Sequence, residues 1–99
     1  MSMQDIDAAL AEAKSGFAAR RPKTRAMHDR AAEVMPGGNT RTVLFTAPFP
    51  LRVEKAEGSA ITDIDGHSYL DLLGEYSAGI YGHSHPRILE AARAALDGG

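Results

Sequence analysis

The stretch EGSAITDIDGHSYLDLL, Glu57 to Leu73, decides how the chain folds. Its centre is Asp65-Gly66, with strand-like runs on both sides. Asp-Gly predicts a two-residue type I′ turn, because both turn positions of that type need positive φ. The flanking runs then become strands over 59–64 and 68–72. Immediately upstream, LRVEKAEG alternates apolar and charged residues, the signature of a half-exposed strand over 51–56. The expectation is a small three-stranded antiparallel sheet. Asp63, Asp65 and Asp71 lie along it and read as a solvated face plus a turn residue.

Downstream, GEYSAGIYGHSH spaces Gly74, Gly79 and Gly82 through an apolar loop. PRILEAARAAL follows as an amphipathic helix with Pro86 in its first turn. Ile88, Leu89, Ala92 and Leu96 form its apolar stripe, and Ser84 or His85 caps it.

Upstream, the periodicity predicts two helices. Ile6, Leu10, Ala13 and Phe17 recur at three- and four-residue steps, giving a helix over 4–20. Asp5 or Asp7 starts it, and Pro22 ends it. Met27, Ala31 and Val34 stripe a second helix over about 24–34 that PGG stops. VLFTAPFPL carries two prolines and reads as an extended or edge segment. The fold class expected is α+β, within one domain spanning 1–99.

The chain has 99 residues, 43% of them hydrophobic and 24% charged, with a formal net charge of -2 and no cysteine. Disulfides and thiolate metal sites are excluded. No clustered positive footprint suggests nucleic acid. MSMQDIDAALAEAK is acidic and lacks a continuous apolar stretch, so it reads as neither a signal peptide nor a membrane span. A cytoplasmic location is compatible with these features.

Several residues invite chemistry. His83 and His85 offer two imidazoles, but a metal needs three or four ligands and no carboxylate is evidently poised with them. PGGNT offers a backbone nest for an anion, yet phosphate loops usually run into a helix N-terminus and here a proline-bearing segment follows. Arg41 sits between that bend and an apolar run, where its planar fork can face a carboxylate. Tyr76 and Tyr81 offer flat apolar walls with polar tips, suited equally to a pocket or to burial under a neighbouring domain. No serine-histidine-aspartate order or carboxylate pair emerges.

Taken together, MPGGNTRTVLF (35–45) and the run from APFPLRVEKAEG to ARAAL (47–96) resemble the N-terminal region of class III, fold type I aminotransferases. Within that class they are similar to the glutamate-1-semialdehyde aminomutase branch, and most similar to the aromatic β-amino-acid (β-phenylalanine) aminotransferases. The ordered set of PGG, the EG…D.DG..Y.D hairpin and the GH.HP helix start carries the resemblance. The mutases have a longer bend with a VNSPVR-like run; the shorter NTRTV here favours the transaminase.

The resemblance implies the start of the small domain of a pyridoxal-phosphate (PLP) enzyme that works as a homodimer. It implies that Arg41 receives the substrate carboxylate, that Val43 and Tyr76 line the pocket, and that Ser77 is their neighbour. It implies ping-pong transfer of an amine from a β- or α-amino acid to a 2-oxo acid. It also implies that the catalytic lysine is elsewhere, since Lys14, Lys23 and Lys55 match no such position. On this reading the 99 residues are an N-terminal segment with no catalytic residue of their own and no cofactor-binding one. A non-catalytic partner-binding module is the alternative of another class.

Overall fold

The computed structural model describes all residues, Met1 to Gly99. The chain divides into two compact units, Met1–Arg52 and Val53–Gly99.

The first unit opens with α1, Met3–Ala19. Ser2 caps it: its hydroxyl accepts from the Asp5 amide at 3.2 Å, and the Asp5 carboxylate accepts from the Ser2 amide at 2.9 Å. This reciprocal box satisfies two amides that a helix end leaves without partners. The Ser2 amide and hydroxyl hold the Asp5 carboxyl below its ordinary range. The helix therefore starts from Ser2, not from Asp5 or Asp7; Asp5 is the third helical residue.

Pro22 does not end α1, which stops at Ala19. It opens α2, Pro22–Val34, where a missing amide proton costs nothing. Met35 to Gly38 then form a turn with the Gly38 amide on the Met35 carbonyl at 2.9 Å and Gly37 at φ 67°. Proline followed by a positive-φ glycine fits a type II turn.

The segment expected to be extended or an edge strand is neither through its first residues. Thr42–Leu44 form one tight 3₁₀ turn, with Leu44 donating to the Arg41 carbonyl and Phe45 to that of Thr42. With no strand alongside, closing these bonds locally satisfies the backbone.

Phe49 is the buried apolar residue of this unit, 4% exposed. Its ring lies 5.3 Å from that of Phe17 and 6.4 Å from that of His28. Burying such a side chain contributes about 1.5–3 kcal/mol. The Arg21 guanidinium stacks over Phe17 at 4.1 Å and donates to the Phe17 carbonyl at 3.1 Å. Arg52 donates to the Gly38 carbonyl at 2.7 Å, tying the end of the unit to the glycine turn.

The second unit holds the sheet, in the order β1 (Val53–Glu57), β2 (Ala60–Asp63), β3 (Ser68–Leu70), all antiparallel. The strands fall within the expected stretches or one residue beyond. The pairing steps from Val53↔Asp63 to Lys55↔Thr62, so Glu54 is an extra residue in a bulge.

The β2–β3 turn differs from the two-residue type I′ turn. Gly66 donates to the Asp63 carbonyl at 3.0 Å, and Asp63 donates to the His67 carbonyl at 2.9 Å. Of the turn residues only Gly66 has positive φ, at 92°. This is a three-residue loop in which glycine supplies the left-handed position. Asp63 makes the difference: its side chain accepts from the Asp65 and His67 amides at 3.0 and 2.9 Å and holds Asp65 in an Asx turn.

The unit closes with α3, Pro86–Asp97, capped by His85, whose Nδ1 accepts from the Arg87 amide at 3.3 Å. Ile88, Leu89 and Leu96 remain exposed on it, as Ile6 and Leu10 do on α1.

Candidate functional site

The loop from Asp71 to His85 is anchored at both ends. Asp71 follows β3 directly. One carboxylate oxygen, Oδ1, accepts from the Leu73 and Gly74 amides at 3.0 and 2.9 Å. The other, Oδ2, lies 2.6 Å from His83 Nε2. An ionised carboxylate has only lone pairs, so His83 Nε2 carries the proton and donates. The Gly74 amide, the His83 ring and the Leu73 amide together hold the Asp71 carboxyl below its ordinary range, against the opposing effect of burial. His83 Nδ1 faces Glu75 Oε1 at 3.8 Å.

The backbone of His83 is fixed to the β1–β2 turn. Its amide donates to the Gly58 carbonyl at 2.8 Å and its carbonyl accepts from the Gly58 amide at 2.9 Å. Gly82, at φ 80°, allows this approach, since a Cβ there would lie 3.1 Å from the Gly58 carbonyl oxygen. Ser84 Oγ donates to the Ala56 carbonyl at 2.6 Å.

Between these anchors, Gly74, Glu75, Tyr76 and Ser77 have φ of 59°, 55°, 54° and 75°. They form one left-handed turn, closed by Ala78 donating to the Glu75 carbonyl at 3.2 Å. Each non-glycine residue in that conformation costs about 1–2 kcal/mol. Such backbone persists where surrounding contacts over-determine it, and it clusters at functional sites. Tyr76, inside the turn, is 61% exposed.

Asp63 is fully buried, 0% exposed, and not on a solvated face as its sequence position suggests. Burial pushes its carboxyl upward, but the Tyr69 hydroxyl at 2.7 Å and the His67 and Asp65 amides outweigh it, and the net shift is downward. Asp71 is likewise held by the loop and not given over to solvent. Both depart from expectation because their side chains bond main-chain amides two to four residues ahead. The spacing of an aspartate three residues before a glycine, as in Asp63 and Asp71, is the signal that marks them.

Arg41 and Val43 belong to the first unit, Tyr76 and Ser77 to the second. Arg41 has extended backbone at φ −148° and an exposed side chain. The internal bonds of its unit run through Arg21, Asn39 and Arg52 instead. The PGGNT bend is stitched by Asn39 Nδ2 donating to the Gly37 carbonyl at 2.9 Å. His83 is engaged with Asp71 and His85 with the start of α3, and no group of three histidine, aspartate or glutamate side chains is arranged to hold a metal ion.

An aldehyde cofactor such as PLP needs a lysine amine, desolvated or flanked so that it loses its proton. Lys14 lies on α1, Lys23 in the first turn of α2 and Lys55 on β1, and all three are exposed. None of the three lysines is desolvated in the way such an amine requires.

The class III aminotransferase family matches residues 45–98, more than half of the chain. The chain belongs to the class III aminotransferases. It is 46% identical to the β-phenylalanine transaminase of Variovorax paradoxus over 99 residues, all of this chain and 23% of that protein. The crystal structure of a β-phenylalanine aminotransferase from the same organism superposes with a TM-score of 0.89 at 48% identity, covering 95% of this chain and 22% of that one. The glutamate-1-semialdehyde 2,1-aminomutase of Sorangium cellulosum is 42% identical over 83 residues, 81% of this chain and 19% of that protein. A transaminase solved with PLP bound matches with a TM-score of 0.75 at 42% identity, covering 79% of this chain and 18% of its own. The chain thus spans about a fifth of the length of the relatives it matches. The helices and the three-stranded antiparallel sheet are those of the N-terminal region of this fold.

Proposed function

We propose that these 99 residues begin the small domain of a PLP-dependent transaminase acting on a β- or α-amino acid with a 2-oxo acid as acceptor. The observation that carries the reading is the 46% identity to a β-phenylalanine transaminase along the whole chain. The net reaction moves an amine from the amino acid to the 2-oxo acid. PLP would be held by residues outside this chain, in keeping with the exposed positions of its three lysines. A relative solved with PLP bound supports that cofactor.

Arg41 is the proposed receptor of the substrate carboxylate. Its side chain is exposed, and its backbone carbonyl accepts from the Leu44 amide. A guanidinium can pair with a carboxylate through two parallel hydrogen bonds. Val43 in the first unit and Tyr76 in the second are each proposed, by family resemblance, as pocket-wall residues of the whole enzyme, with Ser77 next to Tyr76 in sequence; Val43 and Tyr76 are exposed. The whole protein is proposed to be a homodimer in the cytoplasm. None of the helices is long and apolar enough to cross a membrane.

The test is to express the gene with its coding frame extended past Gly99 and assay the purified protein with PLP. β-Phenylalanine and 2-oxoglutarate or pyruvate should give the corresponding β-keto acid and amino acid. Isomerisation of glutamate-1-semialdehyde without transfer to an external acceptor would instead make the protein a mutase.

A further inference from the structure

The left-handed turn Gly74–Ser77 raises a question its own residues do not answer. Glu75, Tyr76 and Ser77 all carry a Cβ, and all three occupy a backbone region that L-residues avoid. Something outside the turn must hold it. Two side chains do, and they meet each other.

Asp71 is at the entrance. Its Oδ1 accepts from the amide just before the turn, Leu73 at 3.0 Å, and from the first amide of the turn, Gly74 at 2.9 Å. His83 is at the exit, with its backbone paired in both directions to Gly58. The 2.6 Å contact between Asp71 Oδ2 and His83 Nε2 joins entrance to exit. Each carboxylate oxygen therefore serves one end of the segment 72–82. Charge-assisted hydrogen bonds of this kind are about twice as strong as neutral ones. Tyr76 itself is largely exposed, so its own packing does not place it.

We propose that Asp71 and His83 are positioning residues for Tyr76. Together they lock the left-handed turn and so fix the direction in which the tyrosine faces the substrate. Neither touches the substrate. The role of Tyr76 as a pocket wall rests on the transaminase reading above; the clamp rests on the geometry of this unit alone.

The experiment uses the full-length enzyme loaded with PLP, with β-phenylalanine as donor. Asp71→Ala and His83→Ala should each lower kcat/KM by about tenfold or more, the scale expected for losing a charge-assisted bond. His83→Gln keeps an N–H donor near the Nε2 position and should recover most of that loss. In a double-mutant cycle, Asp71→Ala added to Tyr76→Ala should cost little beyond Tyr76→Ala alone, because Asp71 acts through the tyrosine. Fully additive losses, or no recovery with His83→Gln, would overturn the proposal.

Hydrogen exchange of the peptide covering 73–79 supplies a readout independent of turnover. Exchange at Leu73 and Gly74 should accelerate in Asp71→Ala and partly in Asp71→Asn, which keeps one acceptor oxygen. Unchanged exchange would refute the clamp. If the wild-type enzyme transfers no amine from any amino acid, the functional reading fails, and with it the role assigned to Tyr76. The exchange result then still decides whether Asp71 and His83 hold the turn.

Discussion

The Tyr69 hydroxyl donates to Asp63 Oδ2 at 2.7 Å, closing a set of three hydrogen bonds around a fully buried carboxylate. The bond runs across the β2–β3 hairpin, from the middle of β3 to the last residue of β2. The turn is thus held by a side chain on one strand and a phenol on the other.

Asp63→Ala should destabilise the sheet by about 1–3 kcal/mol, because it strands two amides and a phenol. Tyr69→Phe should cost about 1.5–3 kcal/mol, the usual worth of one hydrogen bond to a charged group. Native-state hydrogen exchange of residues 60–70 measures both. A larger loss from Tyr69→Phe than from Asp63→Ala would contradict this, since Tyr69→Phe keeps the ring and removes only one of the bonds to Asp63.

Acid should loosen the second unit. Asp63 and Asp71 are both held below the ordinary aspartate value of 3.8. A depressed folded-state value means the unfolded chain takes up protons first as the pH falls. The stabilisation is therefore complete well above 3.8 and is lost as the pH falls through the lower folded values. Exchange protection in the loop and hairpin should be flat from neutral pH to about 5 and fall below about 4. Protection that rises on acidification would contradict the sign.

The 99 residues in isolation should associate. Ile6 and Leu10 on α1, and Ile88 and Leu96 on α3, are exposed on faces patterned for burial. Contiguous apolar patches beyond a few hundred Å² mark surfaces that another surface covers. Sedimentation and a thermal melt check this. A monodisperse monomer with a sharp cooperative transition would favour a self-sufficient module.

The elements were legible in the sequence wherever a local rule decides them. The 3.6-residue stripes of Ile6–Phe17 and Ile88–Leu96 mark helices, and the alternation in LRVEKAEG marks β1. The hairpin centre was legible at Asp65-Gly66, but its turn type was not, because the Asp63 side chain competes for the amides a two-residue turn would leave. The left-handed turn at Tyr76 was not legible either. Its local propensity runs against it, and the two residues that impose it lie three positions before the turn and six after. His83 was visible as an imidazole beside glycine, yet its partner Asp71 is twelve residues away in sequence. Arg41 stood out only through its place after a glycine bend and through family resemblance; its one bond in the unit, from the Leu44 amide to its carbonyl, is a backbone bond that any residue could make.

The central claim, that Arg41 receives the substrate carboxylate, is tested by comparing two amine donors in the full-length enzyme. One is β-phenylalanine; the other is an arylalkylamine of similar shape without a carboxylate. Hydrogen bonds to charged groups contribute about 1.5–3 kcal/mol each. Arg41→Ala should therefore lower kcat/KM for β-phenylalanine by about ten- to several-hundred-fold, at about 1.4 kcal/mol per factor of ten. Arg41→Lys should recover part of that, since lysine offers only a point charge. The carboxylate-free amine should be little affected by either change, and PLP content should be unchanged. An equal loss with both donors would contradict the claim and place Arg41 in the fold or the assembly.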